Sequence, residues 1–256
     1  MKKYSISQEQ WLDMYYNPKI SKQELDLLVT KTIYDIQTKS NGLRAAVAHS
    51  FGKDSLVLYD LCKRAGITEC FLVRCDLEYP EFLKYINDNK PKEMKIVNTG
   101  QDLKWLAKRP YMLFPKDNQT ASRWYSIVQH KGQDMYCEEN NIEMLILGRR
   151  KEDQNFVGRG TNIYTKKNGV TIFNPIADWT HQQILAYMRY NNIELPPIYF
   201  WTNGFVEGTH AWPLRYFADS DLQAWEQIAE IDISIVEKAS KYFETAKDCL
   251  EILKNK

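Results

Sequence analysis

No C-x-x-C pair occurs in this chain of 256 residues, although it carries five cysteines: Cys62, Cys70, Cys75, Cys137 and Cys249. Zinc and iron–sulfur centres draw on closely spaced cysteines, so a metal–thiolate site is not expected. Most of the five read as small buried apolar residues. An excess of one charge is also lacking: 34 Lys and Arg face 33 Asp and Glu, for a net charge of +1. Duplex-binding proteins show a basic surplus, so global charge supports no such role and leaves room only for a local basic site. No apolar run approaches the roughly 20 residues of a membrane helix, so no membrane partner is expected. The opening Met1-Lys2-Lys3-Tyr4-Ser5 has two lysines with no apolar stretch behind them. It does not read as a signal peptide, and a cytoplasmic location is expected. Internal repeats and low-complexity tracts are absent. What remains, 44% hydrophobic and 26% charged, is ordinary for a globular chain long enough to bury a real core.

Capping-box spacings from Ser7 to Gln10 and from Ser21 to Glu24 each open a polar–apolar helical pattern. Residues 7–38 therefore read as a helical extension, broken at Gly42. The rhythm then changes. Short apolar runs at Leu43–His49, Cys70–Cys75, Met94–Val97 and Met144–Leu147 read as buried strands. Between them, Ser55–Ala65 has helical spacing closed by Gly66, Pro80–Asn89 is a helix with proline at its start, and about 120–140 is one long helix. Strands alternating with helices predict an α/β fold: a mostly parallel sheet with helices on both faces and helical N- and C-terminal additions. The polar stretch 151–171, with Gly158, Gly160 and Gly169, reads as a loop or hairpin. Further capping boxes at Thr180 and Ser220 open helix 181–191 and a helical tail. The expected division is 1–40 as an extension, 41–215 as the main domain and 216–256 as a C-terminal helical segment, which offers a surface for a homodimer.

The segment Ser50-Phe51-Gly52-Lys53-Asp54-Ser55 joins the first strand to its helix. In a parallel sheet, ligands gather at the carboxyl ends of strands, and free N–H groups at a helix start favour an anion. Lys53 adds a mobile positive charge, and Ser50 and Ser55 add hydroxyls. Asp54 suits this place only as a helix cap or as a holder of Mg²⁺. The loop is not a Walker A sequence: position 47 is Val, and Asp54 follows the lysine. An ordinary strand–turn–helix corner is the alternative.

Those six residues resemble the S-G-G-K-D-S loop of the ATP pyrophosphatases (the PP-loop superfamily). They are most similar to the branch holding phosphoadenosine phosphosulfate (PAPS) reductases, the ATP sulfurylase small subunit and eukaryotic-type FAD synthases. Three more matches follow in order, the last with a trailing segment at 196–199. Asp76-Leu77-Glu78-Tyr79-Pro80-Glu81 resembles a shortened D-T-G-x-x-F-P-E. Gly148-Arg149-Arg150-Lys151-Glu152-Asp153 resembles G-x-R-x-D/E. Phe173 to Thr180 is close to x-N-P-I-x-D-W-T, and Pro196-Pro197-Ile198-Tyr199 resembles L-P-Y-N-P-L-Y. The resemblance implies an adenine-nucleotide-alpha-hydrolase-like fold, with ATP–Mg²⁺ on Ser50 to Ser55. It further implies that Asp76, Glu78 and Gly148 line the nucleotide pocket. An anionic substrate would be held by Arg149, Arg150 and Arg159. Lys53, Asp54, Arg149 and Arg150 become the catalytic candidates, Asp54 the candidate Mg²⁺ ligand. Asp178 and Thr180 fix a corner and are not catalytic.

The departures from that pattern steer the function. Phe51 stands where the first loop glycine is usual, and because Phe resists positive φ a negative φ is expected there. Arg74-Cys75-Asp76 ends the second strand; either Asp76 keeps its family role or Arg74 recasts the pocket for a more anionic substrate. PAPS reductases carry a Glu-Cys-Gly nucleophile near the C-terminus, but here the tail reads Lys247-Asp248-Cys249-Leu250. Thr209 and Trp212 occupy positions that are cysteine in sulfur-handling members, and Ser122-Arg123-Trp124 stands where many have a cysteine pair. Thr and Trp cannot act as a soft, ionisable nucleophile. The leading expectation is therefore AMP transfer to a small-molecule or nucleotide acceptor, with release of pyrophosphate. A second reading is a PAPS-reductase-like or sulfur-transfer enzyme, in nucleic-acid modification for instance. It would use Cys75, Cys249 or a partner's sulfur. A third is a non-catalytic nucleotide-binding relative. His49 and His210 read as structural.

Overall fold

The computed structural model describes residues 6–215 and 218–255. The charged N-terminal run lies outside them, as do two residues at the start of the C-terminal segment and the last residue. Both N-terminal capping boxes form: α1 (Gln8–Tyr16) is capped by Ser7 and α2 (Lys22–Ser40) by Ser21. Strand β1 (Ala45–Ala48) leads to α3 (Lys53–Arg64), β2 (Cys70–Arg74) to α4 (Pro80–Asn89), and β3 (Lys95–Asn98) to a short α5 (Leu103–Ala107). Helix α4 has the predicted bounds because Pro80 presets its first turn and lacks the N–H that would go unpaired there. Helix α3 starts earlier than Ser55: Gly52 is its N-cap and supplies no side-chain cap.

The long helix expected near 120–140 is three pieces: α6 (Asn118–Trp124), a π-helical segment Tyr125–His130, and α7 (Lys131–Glu139). A π-bulge swings successive side chains to new azimuths and is common beside functional sites. Strand β4 (Met144–Ile146) follows. The 151–171 stretch ends in the hairpin β5 (Ile163–Thr165) and β6 (Thr171–Phe173). Then come α8 (His181–Tyr190), the single turn α9 (Gly204–Glu207), α10 (Asp221–Ala239) and α11 (Glu244–Lys254). Among the described residues the strands form one sheet in the order β3-β2-β1-β4-β6-β5, parallel except for the β5–β6 pair. The α/β class, the mostly parallel sheet and both helical additions are as expected.

The N-terminal helices pack into the main core rather than beside it. Trp11, Leu25, Val29 and Ile36 are buried in the same cluster as Val47, Ile146 and Trp225. Trp179 Nε1 donates to Thr32 Oγ1 at 3.1 Å, joining α2 to the turn before α8. Burying an indole such as Trp11 removes roughly 200 Å² from water, worth about 5 kcal/mol before chain entropy is subtracted. Among the described residues no helix is long and apolar enough to cross a membrane.

Candidate functional site

The 50–55 loop sits at the carboxyl end of β1, flanked by β2 on one side and β4 on the other. Its polar groups pair with each other. Ser50 N and Ser50 Oγ both donate to Ser55 Oγ at 3.2 Å, and Ser55 Oγ donates to the Gly52 carbonyl at 3.0 Å. Gly52 N donates to Ser50 Oγ at 3.3 Å. Phe51 N donates to His49 Nδ1 at 3.1 Å. Burial holds the His49 imidazole down at about 3, so it stays neutral and keeps that acceptor. The Lys53 N–H, in the first turn of α3, donates to Tyr199 Oη at 2.8 Å.

Phe51 has φ +57°, so the expected negative φ is wrong. The loop therefore turns through a left-handed residue that is not glycine. The cost of roughly 1–2 kcal/mol is offset by packing. The ring is 1% exposed and lies edge-on to His49 and Tyr85, at 4.4 and 6.2 Å between centroids. Gly52 cannot be replaced as readily: an added Cβ would lie 3.2 Å from Tyr199 Oη and 3.3 Å from Thr209 Cγ2.

Lys53 is not the mobile charge expected. It is buried, with Nζ 2.7 Å from Asp54 Oδ2. Asp54 Oδ1 lies 2.7 Å from Arg150 Nε. Arg150 is wholly enclosed and meets Glu152 at 2.8 Å, Asp153 at 2.9 Å, His181 Nδ1 at 2.8 Å and the Trp179 carbonyl at 3.1 Å. Burial by itself would push the Asp54 carboxyl up, but Lys53 and then Arg150 outweigh it and hold the group below its ordinary range. Asp54, expected as a Mg²⁺ ligand, has each oxygen beside a cation, and no group of three or more metal-ligating residues gathers among the described residues. Arg150 has no face left for a substrate anion. Both side chains instead lock the loop to the 148–153 turn. Gly148 makes that junction close: its missing Cβ would stand 3.4 Å from the Asp54 backbone.

The other predicted residues are scattered. Arg149 is half-buried and donates to Tyr164 Oη at 2.8 Å, with His130 Nε2 3.2 Å away. Arg159 is exposed in the turn before β5. Asp76 is exposed, accepts from Asn98 Nδ2 at 2.6 Å and lies 3.8 Å from Arg74. Glu78 does face a pocket, which opens beside the loop along the carboxyl end of β2.

That pocket is lined by Ser50, Leu72, Arg74, Phe82, Trp124 and Leu214 among others. The π-helical segment brings Tyr125, Val128 and Gln129 to the same wall. Tyr125 Oη is 3.1 Å from His210 Nε2, and burial pushes that imidazole down to about 4. Burial also pushes the Glu78 carboxyl up to about 7. Apolar and aromatic walls with a few converging polar groups suit a planar heterocycle that makes directed hydrogen bonds. Because Ser50 belongs to both pocket and loop, a ring held here could extend a phosphate chain toward residues 50–55.

No thiol reaches this space: all five cysteines are buried. The Cys75 thiol, nearest the pocket, is pushed well up by burial and by the Glu78 carboxyl, whose Oε1 is 3.8 Å from its sulfur. Cys249 is fully enclosed in α11. Sequence reasoning missed Tyr199, Trp124, Tyr125 and Gln129. The 196–199 motif flagged the turn that carries Tyr199, but nothing local linked it to a loop 146 residues away.

The family model for the phosphoadenosine phosphosulfate reductase domain matches residues 44–206. The phosphoadenosine 5'-phosphosulfate reductase of Vibrio vulnificus (strain YJ016) is 21% identical over 210 residues, covering 80% of this chain and 74% of that protein. The phosphoadenosine phosphosulfate reductase of Emericella nidulans is 25% identical over 217 residues, covering 78% and 68%. A crystal structure of PAPS reductase from Candida auris in phosphate complex aligns with TM-score 0.48 and 16% identity, over 76% of this chain and 92% of that one.

Proposed function

The chain belongs to the phosphoadenosine phosphosulfate reductase domain family, and from that premise we propose that it binds ATP and transfers AMP to an anionic acceptor. Residues 41–215 form the catalytic unit in this reading. The adenine occupies the pocket of Glu78, Trp124 and Gln129, and the phosphates lie on residues 50–55. The acceptor, a small molecule or nucleotide in the cytoplasm, meets Arg149 and Arg159 and attacks the α-phosphorus. The α–β bridging bond breaks and pyrophosphate leaves against the first turn of α3 and Lys53. Positioning and charge stabilisation carry such a reaction without a protein base. Mg²⁺ would travel with the phosphates, since Asp54 is already engaged by Lys53 and Arg150.

The observation that carries AMP transfer over sulfur reduction is the burial of all five cysteines. Reduction of a sulfonucleotide within one chain needs an accessible thiolate. A second reading, reduction of PAPS or sulfur transfer with a thiol supplied by a partner, is favoured by the curated relatives. The test is product analysis with purified protein. ATP with sulfate, FMN or nucleic acid offered in turn should release pyrophosphate with one acceptor. PAPS with a dithiol reductant should release no sulfite. Sulfite without pyrophosphate would replace the first reading by the second. Neither product, with ATP still bound, would leave a non-catalytic nucleotide-binding relative.

A further inference from the structure

The donors that a phosphate would use at residues 50–53 are already taken, and one of them is taken by a distant residue. The Lys53 N–H is among the unpaired donors of a helix start, where an anion binds. Here it gives its hydrogen to Tyr199 Oη at 2.8 Å. A phosphate oxygen accepting from the same N–H must displace that hydroxyl. The phenol does not lie there by chance of rotation. Its ring rests on Phe205 at 4.8 Å between centroids, and Phe205 stacks on Trp11 of α1 at 5.0 Å with the planes 3° apart. Gln8, at the start of α1, donates through Nε2 to the Tyr199 carbonyl at 2.5 Å. Trp11 also covers the loop lysine, with Lys53 Nζ 5.9 Å from its ring centre. Burial pushes the Tyr199 phenol far up, so it stays a neutral hydroxyl.

We infer that Tyr199 is an internal stand-in for a phosphate oxygen, held on the loop by a strap of α1 and the 197–207 segment. Nucleotide entry exchanges one acceptor for another and shifts that strap away from Lys53. Lys53 is thereby freed from its position under Trp11 to meet the ligand's charge. This deepens the reading that residues 50–55 hold phosphates, and rests on it.

The test is a set of ATP titrations on the full chain by calorimetry, with and without Mg²⁺, for wild type and three variants. Tyr199→Phe keeps the ring and its packing but leaves the Lys53 N–H unsatisfied until a phosphate arrives. It should bind ATP tighter by about tenfold, the factor that one net hydrogen bond supplies. Gln8→Ala loosens the strap from a partly exposed position and should tighten binding by a smaller factor in the same direction. Lys53→Ala should lose affinity. If Lys53→Ala weakens binding while Tyr199→Phe and Gln8→Ala leave it unchanged or weaken it, the loop stands and the stand-in is overturned. If Lys53→Ala binds as wild type does, the loop reading itself fails. Binding by neither wild type nor Tyr199→Phe overturns both.

Discussion

On one side of Ser50, the 50–55 loop is dense with internal pairs: four consecutive backbone N–H groups have acceptors within the chain, and Lys53, Asp54 and Arg150 form a buried chain of charge. On the other side, the pocket along β2 is open, walled by Leu72, Phe82, Trp124 and Val128, with Arg74, Glu78, Gln129 and His210 among its polar groups. The loop therefore owes its shape to electrostatics in a poorly solvated place, where each partner is costly to remove. The pocket owes its shape to apolar packing, which tolerates small changes. One site joins two regions with opposite sensitivities.

The sharpest break in that contrast is Arg150→Leu. Removing the guanidinium leaves Asp54 and two further carboxylates without their shared cation. Loss of one partner from such a buried set costs about 3–5 kcal/mol. Urea unfolding should show that loss, and the double variant with Asp54→Asn should recover part of it. Full additivity would mean that the two side chains are not coupled.

Next in size is Phe51. Phe51→Ala should cost about 3 kcal/mol by emptying a buried ring site. Phe51→Gly loses the same ring but relieves the left-handed backbone, so it should be the more stable of the two by about 1 kcal/mol. The reverse order would argue that φ at residue 51 is not held positive in solution.

Glu78 sharpens the pocket's side of the contrast through pH. Its folded pKa, about 7, lies above the ordinary 4.5, so the folded state binds its proton more tightly than the unfolded state does. That contribution is complete below 4.5 and is lost as pH rises through 7. Glu78→Gln, permanently neutral, should thus gain on the order of 1 kcal/mol over wild type at pH 8 and nothing at pH 4. His49 and His210 act in the other direction. Their pKa values are pushed down to about 3 and about 4, so their contribution is present above 6.5 and is lost as pH falls below it. The smallest effect concerns the thiols. A thiol-reactive dye should label the native chain slowly and all five cysteines quickly in urea; one fast native thiol would reopen intramolecular sulfur chemistry.

Much of the fold was legible because its signals are local. Ser7, Ser21 and Thr180 cap helices through residues three positions away, and Pro80 sets the start of α4 by itself. Alternating apolar strands and helices imply a parallel sheet, and the loop's place at the end of β1 follows. The π-segment was not legible, since a one-residue widening of a helix leaves no trace in periodicity.

By itself, then, the sequence determined the order of the main strands and of helices α1–α4 and α8, the family and the position of the loop, because each rests on residues near one another in the chain. Only the tertiary structure decided what the loop's side chains touch. It turned Asp54 and Arg150 from candidate ligand contacts into partners, placed Tyr199 on the Lys53 N–H, and let Phe51 take a glycine's conformation. The Asp54–Arg150 and Lys53–Tyr199 contacts span 96 and 146 positions of chain, and Phe51 packs on Tyr85, 34 positions away; burial and charge pairing there outweigh local preference.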